Sequence, residues 1–133
     1  MNTSTIRMYD NTTCAGTVQI SSDNFSSCVR AAFTKEWTKQ LGTSSTDSGI
    51  GVEVDSSNNV YVTGYTMGGL DGNSNLGGAD IFLVKYNSSG DKQWTKLLGT
   101  SSKDSGYGVT VDSSDNIYVT GSTYGGLDGN TNS

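Results

Sequence analysis

Oxygen-bearing side chains at alternate positions are the most chemically suggestive feature of this sequence. The segment GGLDGNSN at Gly68 to Asn75 returns as GGLDGNTN at Gly125 to Asn132, so Asp71, Asn73 and Asn75, and again Asp128, Asn130 and Asn132, stand two residues apart. Hard cations such as calcium take oxygen ligands from loops of this kind. The match is partial. A helix-flanked calcium loop needs Gly at its sixth position and a bidentate Glu at its twelfth, where this chain has Leu76 and Phe82, and each triad brings one carboxylate. Asp, Gly and Asn are also the ordinary residues of tight turns. A structural turn is therefore the preferred expectation, no metal site is assigned, and calcium is kept as the alternative.

Paired carboxylates are the next candidates. Asp47 and Asp55 recur as Asp104 and Asp112, and acid-base chemistry on a glycoside would need two acids about 5 to 9.5 Å apart, one with a raised pKa. Recurrence argues for a building role instead, because one active site on an array of like units would draw on residues peculiar to one unit. Among the positions that differ, Ile50 against Tyr107 and Met67 against Tyr124 are not catalytic types. The chain has no histidine, which excludes a Ser-His-Asp triad, a Cys-His dyad and any zinc site using His, and two cysteines cannot make a four-Cys site. No catalytic residue and no cofactor are expected, and the chain is read as non-enzymatic. Trp37 and Trp94 could stack on sugars, but their fixed place in each unit points to packing between units.

The 133 residues fit one modest domain or part of a larger one. No apolar run approaches the roughly 20 residues needed to cross a bilayer, and Met1 to Asp10 lacks the apolar centre of a signal peptide. A net charge of −5 with lysines scattered singly offers no basic stripe to phosphates, so neither nucleic acid nor an anionic membrane surface is an expected partner. Ser, Thr, Asn and Gly supply 66 of the residues, which would suggest disorder if the apolar remainder were scattered. It is not. Val, Ile, Tyr, Phe and Trp gather in short clusters bounded by turn residues, the pattern of an all-β chain.

Self-similarity organises those clusters. Trp37 to Asn75 reappears as Trp94 to Asn132, displaced by 57 residues with 30 of 39 positions identical. A period of this size with about four strand signals predicts one four-stranded propeller blade per repeat. The complete unit parses into strands at Ile50 to Asp55, Val60 to Thr66, Asp80 to Tyr86 and Lys92 to Leu98. The third is apolar on both faces, with Phe82, Val84 and Tyr86 on one and Ile81 and Leu83 on the other, so it needs cover on two sides. DSSNN and DSSDN predict hairpin turns in which Asp55 or Asp112 accepts backbone hydrogen bonds and Asn58, Asn59 or Asn116 tolerates positive φ. NSSGD predicts another, with Gly90 left-handed. Glu36 to Leu41 is expected to be the last strand of a preceding blade, and the chain stops at Ser133 inside a third, incomplete one. One complete blade plus parts of two others, a partial β-propeller, cannot close a ring and hide its open edges. Either the sequence is a fragment of a longer array or copies assemble to complete the split blade, the fragment being preferred.

The motif D-S-S-x-N-x-Y-V-T-G-x-T, present as DSSNNVYVTGYT and DSSDNIYVTGST and followed by ADIFLVKYNSSGDKQWTKLLGT, resembles the bacterial β-propeller repeat often called SBBP, for seven-bladed β-propeller. The resemblance covers about Lys35 to the carboxyl end. It implies a secreted or surface-attached bacterial protein in which the propeller serves as scaffold or interaction module, with a protein or glycan as ligand. A platform within a larger extracellular enzyme and a calcium-stabilised adhesive module are the alternatives.

Residues 1–34 stand apart from the repeat region 35–133 and hold both cysteines. A Cys14 to Cys28 disulfide is favoured if the protein is exported, where a loop of that size would contribute about 3 kcal/mol. Two free thiols in a cytosolic chain are the competing reading. Lipidation is disfavoured, since Asn11, Thr12 and Thr13 precede Cys14 without an apolar stretch. TIRMYD and TVQIS suggest two short strands. Sequons at Asn2, Asn11, Asn24 and Asn87 are those expected by chance in a Ser/Thr-rich chain.

Overall fold

Alternating valines and a doubly apolar third strand leave the repeat one economical solution, a small antiparallel sheet covered on both sides. The computed structural model describes residues 35–132. The expectations for Cys14, Cys28, the two amino-terminal strands and the sequons at Asn2, Asn11 and Asn24 lie outside the described residues. Within the unit Trp37–Ser133, β1 (Asp47–Val54), β2 (Val60–Thr66), β3 (Asp80–Tyr86) and β4 (Lys92–Leu98) form a four-stranded meander in chain order. β5 (Asp104–Val111) and β6 (Ile117–Thr123) form a second, two-stranded sheet. All pairings between these strands are antiparallel. Among the described residues no helix is long and apolar enough to cross a membrane.

Register sets the two faces. Val52, Val62, Val84 and Thr95 lie in one cross-strand row, so one face gathers Val60, Val62, Phe82, Val84, Tyr86 and Leu97. Leu70, from a single 3-10 turn at Leu70–Gly72, and Leu41 pack onto this face. Each fully buried apolar side chain here contributes on the order of 1.5–3 kcal/mol. The opposite face carries Tyr61, Thr63 and Ile81, all buried, and β5 packs across it against β1, β2 and β3. The approach is close enough that a Cβ on Gly51 would meet the Gly108 Cα at 3.0 Å. Ala79 and Lys103 form a parallel bridge at the junction, where the Asp104 N–H donates to the Ala79 carbonyl at 2.6 Å. One repeat thus lies face to face on the next.

Three expectations change. β1 begins at Asp47 rather than Ile50, because its ladder with β2 continues through a bulge at Gly49/Gly51, and Asp55 leaves the strand to organise the following turn. The left-handed turn residues are Asn58 and Asp115, with φ of 61° and 62°, while Asn59 and Asn116 are held as donors. Glu36 to Leu41 is not a strand among the described residues. The preceding sequence also departs from the repeat, reading NFSSCV 57 positions before Ile81–Tyr86 in place of IFLVKY. The segment covers the sheet without pairing: the Trp37 ring lies 6.1 Å from Tyr86, and its indole N–H donates to the Ser88 carbonyl at 3.3 Å.

The glycine of YVTG has a specific task. The β1 bulge presses the Ser48 carbonyl against β2 at Gly64, where any Cβ would overlap it, and the β5 bulge brings the Ser105 carbonyl to Gly121 in the same way. Gly72 differs, since it has φ of 78° but open space around a would-be Cβ. Urea unfolding should therefore separate the two: Gly64→Ala is expected to lose about 3 kcal/mol through overpacking, and Gly72→Ala about 1 kcal/mol through its backbone conformation. Equal losses would remove the close-approach explanation.

Candidate functional site

Each turn is built around one side-chain acceptor. Asp55 receives the Ser57 N–H at 2.9 Å and the Asn59 N–H at 2.8 Å on Oδ1, and the Asn59 amide at 2.7 Å and Tyr61 hydroxyl at 3.0 Å on Oδ2. Asp112 repeats this with Ser114, Asn116 and Tyr118. Asn87 uses its Oδ1 in the same way for the Ser89 and Asp91 N–H groups, with Gly90 left-handed as expected. The motif D-S-S-x-N-x-Y is thus one carboxylate and its donors. The Asn59 amide above all, followed by the other donors, holds Asp55 down to about 2, and Asn116 does the same for Asp112, also about 2.

Asp47 and Asp104 fasten the loops that enter β1 and β5. Asp47 accepts the Thr43 N–H at 2.6 Å and the Thr43 and Thr66 hydroxyls, and Asp104 Oδ2 accepts the Thr100 N–H at 2.7 Å and hydroxyl at 2.9 Å. Burial pushes the Asp47 carboxyl up, but these donors outweigh it and hold the group below its usual range. The spacing T-x3-D, repeated in both units, was the available sequence signal for this clamp.

The alternate-oxygen loops have partners in three directions. Asp71 is left-handed, with φ of 52°, and its carboxylate takes the Thr95 hydroxyl and the Lys92 ammonium from β4. Burial raises this group, and Lys92 and Thr95 bring it below the usual carboxylate value. Asn73 donates to the Leu70 carbonyl at 2.8 Å, while Asn75 donates to the Thr66 carbonyl at 3.1 Å and accepts the Gly77 N–H at 3.0 Å. In the second loop Asp128 has φ of 50°, Asn130 donates to Leu127 at 2.9 Å, and Asn132 is the last described residue. Trp94 lies beside Tyr61, with ring centres 6.2 Å apart, and Lys85 sits 5.1 Å above the same ring.

What remains available to a partner lies at the rim where β1 begins and β2 ends. Ile50, Met67 and Leu76 are exposed there, as are Tyr107 and Tyr124 in the second unit. Tyr107, the residue at the β5 bulge, hydrogen-bonds Ser122 Oγ at 2.9 Å. None of the nine positions that differ between the repeats is buried in the first unit. A hollow beside Leu41, Asp47, Leu70 and Phe82 has about 60 Å³, well short of the roughly 300 Å³ of a small-molecule site.

Two measurements check these assignments. Because Asp55 and Asp112 sit at about 2 when folded and about 3.9 when unfolded, their stabilisation is complete above pH 4 and is lost as the pH falls toward 2. A melting profile over pH 2–5 should steepen accordingly and flatten in Asp55→Asn/Asp112→Asn; parallel profiles would contradict the clamp. Melting with calcium and with chelator should coincide, since Asp71 is committed to Lys92 and Thr95; a calcium-dependent rise would reverse that reading.

The blade geometry agrees with the comparisons to known proteins. The family described as Beta-propeller repeat, SBBP, matches residues 36–75 and 93–128, together more than half of the chain. An uncharacterized WD repeat-containing protein of Acanthamoeba polyphaga mimivirus is 36% identical over an alignment of 107 residues that covers 68% of this chain and 8% of that protein. The chain therefore spans a small part of that relative's length. With two stacked repeats of the matching pattern and the sheet order of a blade, the chain belongs to the SBBP beta-propeller repeat family.

Proposed function

We propose that this segment is a non-catalytic scaffold in an exported or cell-surface bacterial protein, and that its rim binds a protein or glycan. The supporting observation is where the repeats differ. Buried positions of the first unit are held constant in the second, while substitution is confined to exposed or half-buried ones and introduces Tyr107 and Tyr124 at the rim. Tyrosine offers broad apolar contact together with a hydroxyl, at low cost in side-chain entropy. Family membership supports a repeat scaffold.

The outer faces define a second class of partner. Val52 and Val54 are 65% and 50% exposed on a face that β3 has made apolar, and Tyr118 is 55% exposed on β6. Further blades of the same protein, or a second copy, would cover these surfaces.

Glycan-array and protein-array binding by the chain, compared with Tyr107→Ala/Tyr124→Ala, tests the rim. The expected result is at least a tenfold loss of signal with an unchanged melting temperature. Binding that survives both substitutions, or reproducible turnover by the chain alone, would overturn the proposal.

A further inference from the structure

Asp80 and Asp104 are both fully buried, and both lie where the two repeats join. Each directly follows a partner of the parallel bridge between Ala79 and Lys103, and the Asp104 N–H itself closes that junction on the Ala79 carbonyl. Both carboxylates also flank the Gly99–Thr100 peptide. A Cβ on Gly99 would stand 2.3 Å from Asp80 Oδ1, and Asp104 Oδ2 accepts the Thr100 N–H. One oxygen of each side chain is satisfied, Asp80 Oδ2 by the Leu76 N–H at 2.8 Å and Asp104 Oδ2 by Thr100. The other oxygen of each, Oδ1, is buried with no hydrogen-bond partner.

Desolvated carboxylates at one junction repel one another, and burial disfavours the charged form. The groups around them do not resolve the conflict. Lys103, next to Asp104, holds its ammonium 5.9 Å from the Tyr65 ring centre. Asp47, in the same cross-strand row as Thr66 and Asp80, adds a further negative charge, and β2, β4 and β6 contribute Thr66, Leu98 and Thr123, none of which titrates. A divalent cation wants six or more oxygen ligands, and among the described residues no group of three or more acidic, His or Cys side chains is suitably placed. A proton on the unpartnered Asp80 Oδ1 meets the need with one oxygen.

We propose that Asp80, fully buried and with Oδ1 unpartnered at the repeat junction, keeps a proton in the folded state, making this interface a protonation-dependent lock. Burial, partly offset by the Leu76 N–H, and then the charge of Asp104 raise the Asp80 carboxyl above its usual value. The sign follows from linkage. A carboxyl with a raised folded pKa binds its proton in the native state first, so stability falls as pH rises from about 4 toward the folded value and then levels off. That trend is opposite to the one set by Asp55 and Asp112, which act below pH 4.

The test compares the 133-residue chain with Asp80→Asn, which is neutral at every pH and carries a donor in place of the proton. Relative to Asp80→Asn, the wild-type folding constant should fall by up to tenfold per pH unit above pH 4, and Asp104→Asn, by removing a neighbouring negative charge, should lower the pH at which Asp80 titrates. The Cγ resonance of Asp80 in a carbon NMR titration should move at a higher pH than that of a solvated aspartate, a readout that stands even if both variants fail to fold. Parallel pH profiles together with an ordinary Asp80 titration would overturn the lock. So would a calcium or chelator response present in the wild type and lost in Asp80→Asn, which would assign the two carboxylates to a metal.

Discussion

A thin sheet with apolar side chains on both faces cannot be stable unless both faces are covered, and this constraint shapes the rest of the molecule. β3 imposes it, with Phe82 and Val84 toward one side and Ile81 toward the other, all buried. One side receives Leu41, Leu70 and the Trp37 segment, and the other receives β5 of the next repeat. The second repeat is therefore packing material for the first. The glycines at Gly51 and Gly106 serve this contact, since side chains there would separate the sheets from Gly108, Thr63 and Ile81.

Polar side chains make that stacking specific. Buried Asp, Thr and Tyr groups tie each loop to its strand through several hydrogen bonds to one carboxylate, as Asp55 does with Ser57, Asn59 and Tyr61. Such clamps tolerate little change, because removing a partner leaves a desolvated acceptor behind. This accounts for the division between constant and variable positions in the two repeats. Constancy follows burial and hydrogen bonding, while the exposed bulge residues Ile50 and Tyr107 are free to differ. The junction acids Asp80 and Asp104 lie at the intersection of the two requirements, being buried by stacking and only half satisfied by their loops.

Much of the fold was legible in the sequence because repetition supplied the comparison that a single copy lacks. β2, β3 and β4 fall where alternation placed them, and the turn acceptors Asp55, Asp112 and Asn87 follow from residue type and spacing. β1 extended further toward the amino end because a glycine bulge keeps the ladder going past Ile50, and alternation cannot signal a bulge. Glu36 to Leu41 matched its repeat partner in sequence but is not a strand among the described residues, so local similarity overstated its pairing. In the alternate-oxygen loops, spacing alone could not show that Lys92 and Thr95 from another strand engage Asp71. The placement of Asp80 and Asp104 at one junction was hidden for the same reason, since it arises only when two sheets meet.

Hydrogen exchange resolved by residue tests the stacking most directly. If β5 is docked on the face of β1–β3, the amides of Gly78 and Asp104, which bond across the junction, should be protected together with the interior of β3 and open with the same free energy. Rapid exchange throughout β5 and β6 beside a protected four-stranded sheet would show two independent sheets and contradict face-to-face packing.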